Sequence, residues 1–150
     1  MDLYEKIKSV ETPAYVISEK ILTDNLKILA ELQKSTGAKI LLAQKCFSTF
    51  FLYPLIASYL SGATASGLHE ALLCEEYFKK ENHIFSPAYR AKEINRIAEI
   101  CDHVIFNSFA QVEKFAAGVK SVGLRINPEH STQKISIYDP CAENSRLGVR

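Results

Sequence analysis

The chain has 150 residues, of which 47% are hydrophobic and 23% charged, a length and composition typical of one globular domain. Its net charge of +1 is spread without a basic cluster, which gives no reason to expect nucleic acid or an anionic membrane as a partner. No signal peptide opens the chain, and its most apolar stretch, residues 47–60, is too short to cross a bilayer, so we expect a cytoplasmic protein.

Two segments precede the regular part of the chain. Residues 12–17 form a short apolar run of β type that stands apart from the regular alternation of strands and helices. A helical pattern comes next, with Ser18 placed as its N-cap and leucines at i, i+4 and i+7, namely Leu22, Leu26 and Leu29. The sequence therefore predicts a capped helix before the main sheet.

Five short β-type runs then begin about twenty residues apart, a spacing that suits strand, helix, strand with short loops. These runs are residues 38–43, 62–66, 82–86, 103–107 and 121–127. Alternating strands and helices favour a parallel sheet covered by helices. No Gly-x-Gly-x-x-Gly follows any run, so an open dinucleotide-binding sheet lacks its usual sequence. A complete (β/α)8 barrel takes about 250 residues, so we predict an α/β fold corresponding to an incomplete barrel of about five strands.

Helical patterns fill the intervals between these runs. Pro54 suits the first turn of a helix ending near Leu60, and Ser66 is predicted to cap a helix through residues 70–78. Two further apolar faces have helical spacing: Ala91, Ile94, Ala98 and Cys101, then Phe109, Val112 and Ala116. After the last run, residues 129–145 are polar and rich in turn residues, which predicts a long loop of the kind that is often functional.

In parallel α/β folds the reactive groups collect at the carboxyl ends of the strands, because the loops there converge on one edge. At those ends the chain offers one lysine, one arginine and several small polar residues, namely Lys45, Ser66, Ser86, Asn107, Ser108, Arg125 and Asn127. Arg125 alternates with Leu124 and Ile126, so it points to the opposite face of its strand. A charge there is costly unless paired, which leaves open a functional group or one end of an internal salt bridge.

Lys45 is the candidate catalytic residue. It follows the point where the apolar run at residues 38–43 stops, and a lysine at the mouth of a buried strand can have its ammonium partly desolvated. Desolvation lowers the pKa of an amine, and only a neutral amine condenses with an aldehyde. The small polar groups at the neighbouring strand ends leave room for a planar, anionic, aldehyde-bearing cofactor. Lys45 is therefore the best candidate for a Schiff-base residue.

The four cysteines give no metal-ligand spacing, because no two form a Cys-x-x-Cys pair, and Cys101 with His103 is a weak zinc pattern. We therefore predict no metal site. Cys74 and Cys101 are predicted to be small buried apolar residues. The environments of Cys46 and Cys141 stay open, because both fall beside segments assigned to the active-site end.

Several segments together resemble the fold-type III pyridoxal-phosphate enzymes, which include alanine racemase, diaminopimelate decarboxylase and ornithine decarboxylase. They are TPAYV at residues 12–16, LAQK at 42–45 and TASGLHEA at 64–71. Further segments resemble the carboxynorspermidine decarboxylases within that group: FSPAYR at 85–90, CDHVIFNS at 101–108, RINP at 125–128, YDPC at 138–141 and SRLG at 145–148. The ordered set runs from residue 12 to the end of the chain.

The resemblance implies that Lys45 forms a Schiff base with pyridoxal 5'-phosphate and that Arg125 lies near the cofactor ring. It implies decarboxylation of carboxynorspermidine or carboxyspermidine to norspermidine or spermidine, in polyamine biosynthesis, without choosing between the two. It also implies a homodimer, with residues 145–148 close to the subunit contact. Residues 1–17 would belong to a second, β-rich domain, and residues 18–150 to the barrel.

Compared with such enzymes, the chain lacks the remaining barrel strands, the phosphate-binding loop and the groups that meet the substrate amines. We therefore expect the 150 residues alone to be inactive. Three alternatives stay open: another fold-type III enzyme of the diaminopimelate or ornithine decarboxylase type, a non-catalytic cofactor-binding barrel, and an assembly piece that needs a separately encoded half. The run at residues 12–17 and the long loop weigh against the non-catalytic barrel.

Overall fold

Five parallel strands form one sheet in the computed structural model, which describes residue 5 and residues 7–150, with Ser136 described by its backbone only. The strands are β1 (Leu41–Ala43), β2 (Gly62–Ala65), β3 (Glu81–Phe85), β4 (His103–Phe106) and β5 (Val122–Leu124). They lie side by side in chain order, each hydrogen-bonded to the next. This unbroken order is that of a barrel, since a doubly wound sheet reverses its order at the switch point. The predicted α/β fold is confirmed.

Helices pack on one face of this sheet. They are α1 (Glu19–Thr36), α2 (Tyr53–Ala57), α3 (Leu68–Leu73), α4 (Ala91–Ile100) and α5 (Phe109–Phe115). A π-helical turn at Cys74–Phe78 extends α3, and 3-10 turns cover Phe50–Leu52 and Ser136–Tyr138. The predicted N-cap is confirmed, because Ser18 Oγ accepts a hydrogen bond from the Ile21 N–H at 3.4 Å. Pro54 lies in the first turn of α2, also as predicted.

The cap predicted at Ser66 is wrong. Gly67 is the N-cap of α3 and makes no side-chain bond. Instead Glu70 Oε2 accepts a hydrogen bond from the Ser66 N–H at 2.6 Å, so a side chain in the first turn reaches back to the preceding backbone. The helix predicted over residues 70–78 begins two residues earlier and passes into the π-helical turn at Cys74.

The core lies between the sheet and the helices. Strand residues of one parity point into it, namely Ala63, Ala65, Ile84, Val104 and Phe106. Cys74 and Cys101 are fully buried there, as predicted, and burial raises the pKa of each thiol to about 12. Ala91 and Phe109, predicted on the buried faces of α4 and α5, are exposed. Ile97 and Ile100 fill the α4 face instead.

The described residues before α1 make no strand. Residues 12–17 belong to no helix or strand of the described chain, and Tyr15 is fully exposed. The β-type run predicted there therefore finds no strand partner among the described residues. Assignment of residues 1–17 to a β-rich domain and 18–150 to a barrel stays a prediction, and positions 1–4 and 6 lie outside the described residues.

The predicted long loop is confirmed. Residues 129–145 contain a single 3-10 turn, and the chain then returns to the sheet edge, where Val149 forms a parallel bridge with Ile126. None of the helices in the described part of the chain is both long and apolar enough to cross a membrane.

Candidate functional site

The face of the sheet opposite the helices, here called the helix-free face, carries polar residues. Strand register aligns Thr64 with His83 and His83 with His103, and these residues alternate with the ones packed under the helices. Phe85, at the carboxyl end of β3, has the same parity as His83. Arg125, just past β5, lies on the same face of the sheet as Gly123, two residues earlier. Gly123 is the register partner of Ile105, and Ile105 is the register partner of Phe85. Of the predicted site residues, Arg125 thus lies on the helix-free face at the carboxyl edge, two residues beyond the register position of Phe85.

Lys45 lies at this edge, two residues beyond β1. It lines a cavity of about 80 Å³ whose other walls are small or aromatic residues, namely Ala43, Thr64, Ala65, Ser66 and Phe85. These short side chains leave space beside the lysine amine. Lys45 itself is exposed, so the burial expected from its sequence position is not supplied by the described residues.

Gln44 anchors the backbone immediately before Lys45. It is fully buried, and its Oε1 accepts a hydrogen bond from the Tyr53 hydroxyl at 3.1 Å. The Gln44 N–H also donates to the Thr64 carbonyl at 3.2 Å, which continues the sheet ladder past β1. Burial raises the pKa of Tyr53 to about 12, so this hydroxyl keeps its proton at neutral pH. Both bonds fix the point from which the lysine side chain extends.

Arg125 stacks on the ring of Phe85, with the guanidinium carbon 4.7 Å from the ring centroid. This is a cation–π arrangement. No carboxylate of the described residues lies within salt-bridge distance of Arg125, so the salt-bridge alternative is not realised within them. Phe85 also lines the cavity beside Lys45. The two predicted site residues therefore border the same aromatic ring.

Asn107 ties the long loop to the carboxyl edge. Its Nδ2 donates to the Arg146 carbonyl and its Oδ1 accepts from the Gly148 N–H, both at 2.8 Å. The Val149 N–H then donates to the Arg125 carbonyl at 2.8 Å. One side chain from the end of β4 thus holds the returning segment against the backbone of Arg125, a role that the sequence did not reveal.

The other predicted polar residues divide between the cavity and local structure. Ser66 lines the cavity. Ser86 Oγ donates to the Ala88 carbonyl at 2.9 Å, and Ser108 Oγ caps α5 by accepting from the Gln111 N–H at 3.3 Å. Asn127 is buried and its Oδ1 accepts from the Glu129 N–H at 2.9 Å. The structure therefore gives Ser86, Ser108 and Asn127 roles in holding their own loops.

Sequence reasoning missed a second cluster, at the amino end of β3 on the helix-free face. Glu81, His83 and His103 each place one possible metal-ligand atom within 4.8 Å of the others. Lys39 Nζ contacts Glu81 Oε1, and His83 Nε2 lies 3.2 Å from Glu81 Oε2. These hydrogen bonds, from Lys39 first and His83 second, hold the pKa of the Glu81 carboxyl below its ordinary value. The two histidines are 20 residues apart, and only their shared strand register brings them together.

Comparison with known proteins gives matches over nearly the whole chain. The chain is 44% identical over 149 residues to the carboxynorspermidine/carboxyspermidine decarboxylase of Campylobacter jejuni, an alignment covering 98% of this chain and 38% of that protein. It is 39% identical over 149 residues to the carboxyaminopropylagmatine decarboxylase of Synechocystis, which covers 97% and 38%. No protein-family model matches the chain.

The fold is also similar to that of a solved structure. The crystal structure of carboxynorspermidine decarboxylase from Campylobacter jejuni, complexed with norspermidine, superposes with a TM-score of 0.83 at 39% identity. That superposition covers 94% of this chain and 36% of the other. The chain thus spans about 38% of the length of the curated relatives that it matches.

Proposed function

We propose that this chain belongs to the family of carboxynorspermidine/carboxyspermidine decarboxylases, which its motifs resemble and to which it is 39–44% identical, and that it supplies the catalytic lysine of a pyridoxal-phosphate-dependent decarboxylase of carboxylated polyamines. One observation of the structure carries the proposal. Lys45 and Arg125, from strands at opposite edges of the sheet, both border the ring of Phe85 at the carboxyl edge. That edge is where active sites of parallel α/β folds lie.

The residues at this edge fit the chemistry of pyridoxal 5'-phosphate. Its aldehyde needs a primary amine, which Lys45 offers, and its flat ring needs neighbours with short side chains, such as Ala43 and Thr64. Its negative charge suits an arginine without a carboxylate partner among the described residues, and Arg125 meets that condition. The cavity of about 80 Å³ is smaller than the cofactor, so these residues would hold one side of it.

When bound, the cofactor supplies an electron sink that stabilises the carbanion left by loss of carbon dioxide. Lys45 Nζ would hold the cofactor covalently, and its exposure gives a substrate amine access to the same position. A proton on Lys45 Nζ would later be available to the reacting carbon. Arg125, held over the ring of Phe85, would orient the cofactor ring with its N–H donors and add positive charge.

The choice of substrate stays open between related compounds. The Synechocystis relative is named for carboxyaminopropylagmatine, which makes that compound a second candidate beside carboxynorspermidine and carboxyspermidine. No carboxylate lines the Lys45 cavity, so the groups that would pair with a polyamine's ammonium ions do not come from its walls. The homodimer, the cytoplasmic location and the inactivity of the 150 residues alone remain predictions.

Covalent trapping tests the role of Lys45. The chain is incubated with pyridoxal 5'-phosphate, reduced with borohydride, digested and analysed by mass spectrometry. We expect the label to concentrate on Lys45 and to disappear from that peptide in Lys45→Ala. Lys92→Ala, which removes an exposed lysine on α4, is the matched control and leaves the labelling unchanged. Equal labelling of all exposed lysines would contradict the assignment.

A chimera tests the decarboxylase activity. This chain replaces the matching segment of the Campylobacter jejuni decarboxylase, and carbon dioxide release is measured from each of the three candidate substrates. We expect activity in the chimera and a loss of at least about a thousandfold with Lys45→Ala. The proposal fails if a folded chimera, with a circular dichroism spectrum like that of the intact relative, is inactive on all three.

A further inference from the structure

The cluster formed by Glu81, His83 and His103, here called the Glu81 cluster, lies away from the Lys45 cavity. Glu81 is the first residue of β3 and Phe85 is the last, so about 13 Å of strand separates the cluster from the proposed cofactor site. All three cluster residues are half-buried. The function proposed above does not use them.

Strand geometry fixes the relative positions of the three side chains. His83 and His103 are direct register partners on β3 and β4, and Glu81 precedes His83 by two residues, which puts it on the same face. The imidazole rings lie 4.2 Å apart between centroids. Because neighbouring strands carry all three residues, the backbone already holds the three side chains next to one another.

The spacing suits a small metal ion. Zinc bonds to imidazole nitrogen and carboxylate oxygen at about 2.0–2.2 Å, which puts the ligand atoms of a tetrahedral site about 3.4 Å apart. Glu81 Oε2 and His83 Nε2 are 3.2 Å apart, already near that distance. A third donor atom, from the His103 ring, lies within 4.8 Å of a ligand atom of each of the other two residues, so side-chain rotation has to bring it closer by at most about 1.4 Å.

A supporting hydrogen bond already holds His103. Its Nδ1 lies 2.9 Å from the hydroxyl of Ser121. Histidines that bind metals usually engage their second ring nitrogen in a bond of this kind, which fixes the tautomer and the ring orientation. With Nδ1 held by Ser121, Nε2 of His103 is the nitrogen left for a metal.

From these observations we infer that the Glu81 cluster is a binding site for a divalent transition-metal ion, of which zinc is the type, held by one carboxylate and two imidazoles. This ligand set suits zinc, cobalt, nickel or iron(II) and disfavours magnesium and calcium, which prefer oxygen ligands alone. Lys39 is the internal competitor, because its ammonium contacts the other oxygen of Glu81. A bound cation would displace it into solvent, toward which Lys39 is already 63% exposed.

Calorimetric titration of the chain with zinc chloride tests the inference, together with visible absorbance of the cobalt(II) form. We expect one ion per chain and an absorbance spectrum typical of nitrogen and oxygen ligands. His83→Asn and His103→Asn should each weaken binding by about tenfold or more. The two remaining histidines, His69 and His130, lie outside the cluster and supply matched controls, so His69→Asn and His130→Asn should bind as the parent does.

Lys39→Met gives a gain that misfolding cannot imitate. Removing the competing ammonium should tighten zinc binding by about tenfold, since the Glu81 carboxylate no longer has to exchange one cation for another. The inference is overturned by an absence of saturable binding, by binding that depends on His69 or His130, or by a Lys39→Met variant that binds no better. Lys45→Ala should bind zinc normally, so this result and the trapping result at Lys45 stand independently.

Discussion

Asn82, on β3, connects the sheet to two helices and is the position where a substitution gives the sharpest test of the packing. It is buried at 2% exposure, and its Nδ2 donates to the carbonyls of Ala71 at 2.9 Å and Ile100 at 3.1 Å. Its backbone N–H donates to Asp102 Oδ2 at 3.0 Å. Its Oδ1 is buried without a partner among the described residues. Asn82→Ala removes the two side-chain bonds and keeps the backbone one.

The loss of unfolding free energy expected in Asn82→Ala depends on whether each of the two carbonyls keeps another hydrogen-bond partner. The Ala71 carbonyl keeps its hydrogen bond from the Cys74 N–H, so losing the bond from Asn82 costs about 1 kcal/mol there. The Ile100 carbonyl ends α4 and has no partner within that helix, so leaving it unpaired costs about 2 kcal/mol. Deleting the unpaired Oδ1 of Asn82 offsets about 1 kcal/mol. We expect a net loss of about 2 kcal/mol, or a melting temperature lower by about 6 °C.

Asn82→Asp separates this reasoning from a simple volume argument. The aspartate has the same shape but turns an oxygen toward two carbonyls and buries an unpaired charge, so we expect a loss of about 4 kcal/mol at neutral pH. Urea and thermal unfolding followed by circular dichroism measure both variants. Asn95→Ala, at an exposed position of α4, is the control and should change stability by less than about 0.5 kcal/mol. An aspartate variant as stable as the alanine variant would refute the hydrogen-bond account.

Two further predictions concern the segment around Val149 that returns to the sheet edge and the pH dependence of the protein's stability. Gly148 has a φ of +85°, and an added Cβ would lie 2.8 Å from the Asn127 nitrogen, so Gly148→Ala should detach the segment and speed amide exchange at Val149 by about tenfold or more. Gly67→Ala, where nothing lies within 4 Å of the new Cβ, should leave that exchange unchanged. Burial raises the pKa of Tyr53 from 10.0 to about 12, so its contribution to stability is complete below about pH 10 and is lost as the pH rises toward 12. The buried thiols of Cys74 and Cys101 contribute to the same alkaline decline, so Tyr53→Phe should make the fall in unfolding free energy between pH 10 and 12 less steep without abolishing it. An equally steep fall in Tyr53→Phe would contradict a raised pKa at Tyr53.

Local features of the sequence were enough to predict most of the fold. Strand and helix periodicity is a property of short segments, so the five strands, the Ser18 cap and the position of Pro54 could be predicted without the tertiary structure. Lys45 could be placed at the carboxyl edge for the same reason, because a strand's end is visible in the sequence. The cap of α3 could not, since Ser66 and Glu70 both offer a suitable side chain and only the geometry decides between them.

The sequence by itself thus determined the order of strands and helices and the edge at which Lys45 lies, because both depend on neighbours within a few residues. Only the tertiary structure decided which distant side chains meet. Arg125 lies over the ring of Phe85, which is 40 residues earlier in the chain, and strand register places His83 beside His103. The run at residues 12–17 remains without a strand partner among the described residues for a related reason. A strand is completed by hydrogen bonds from another segment, and no pattern within the run itself specifies that segment.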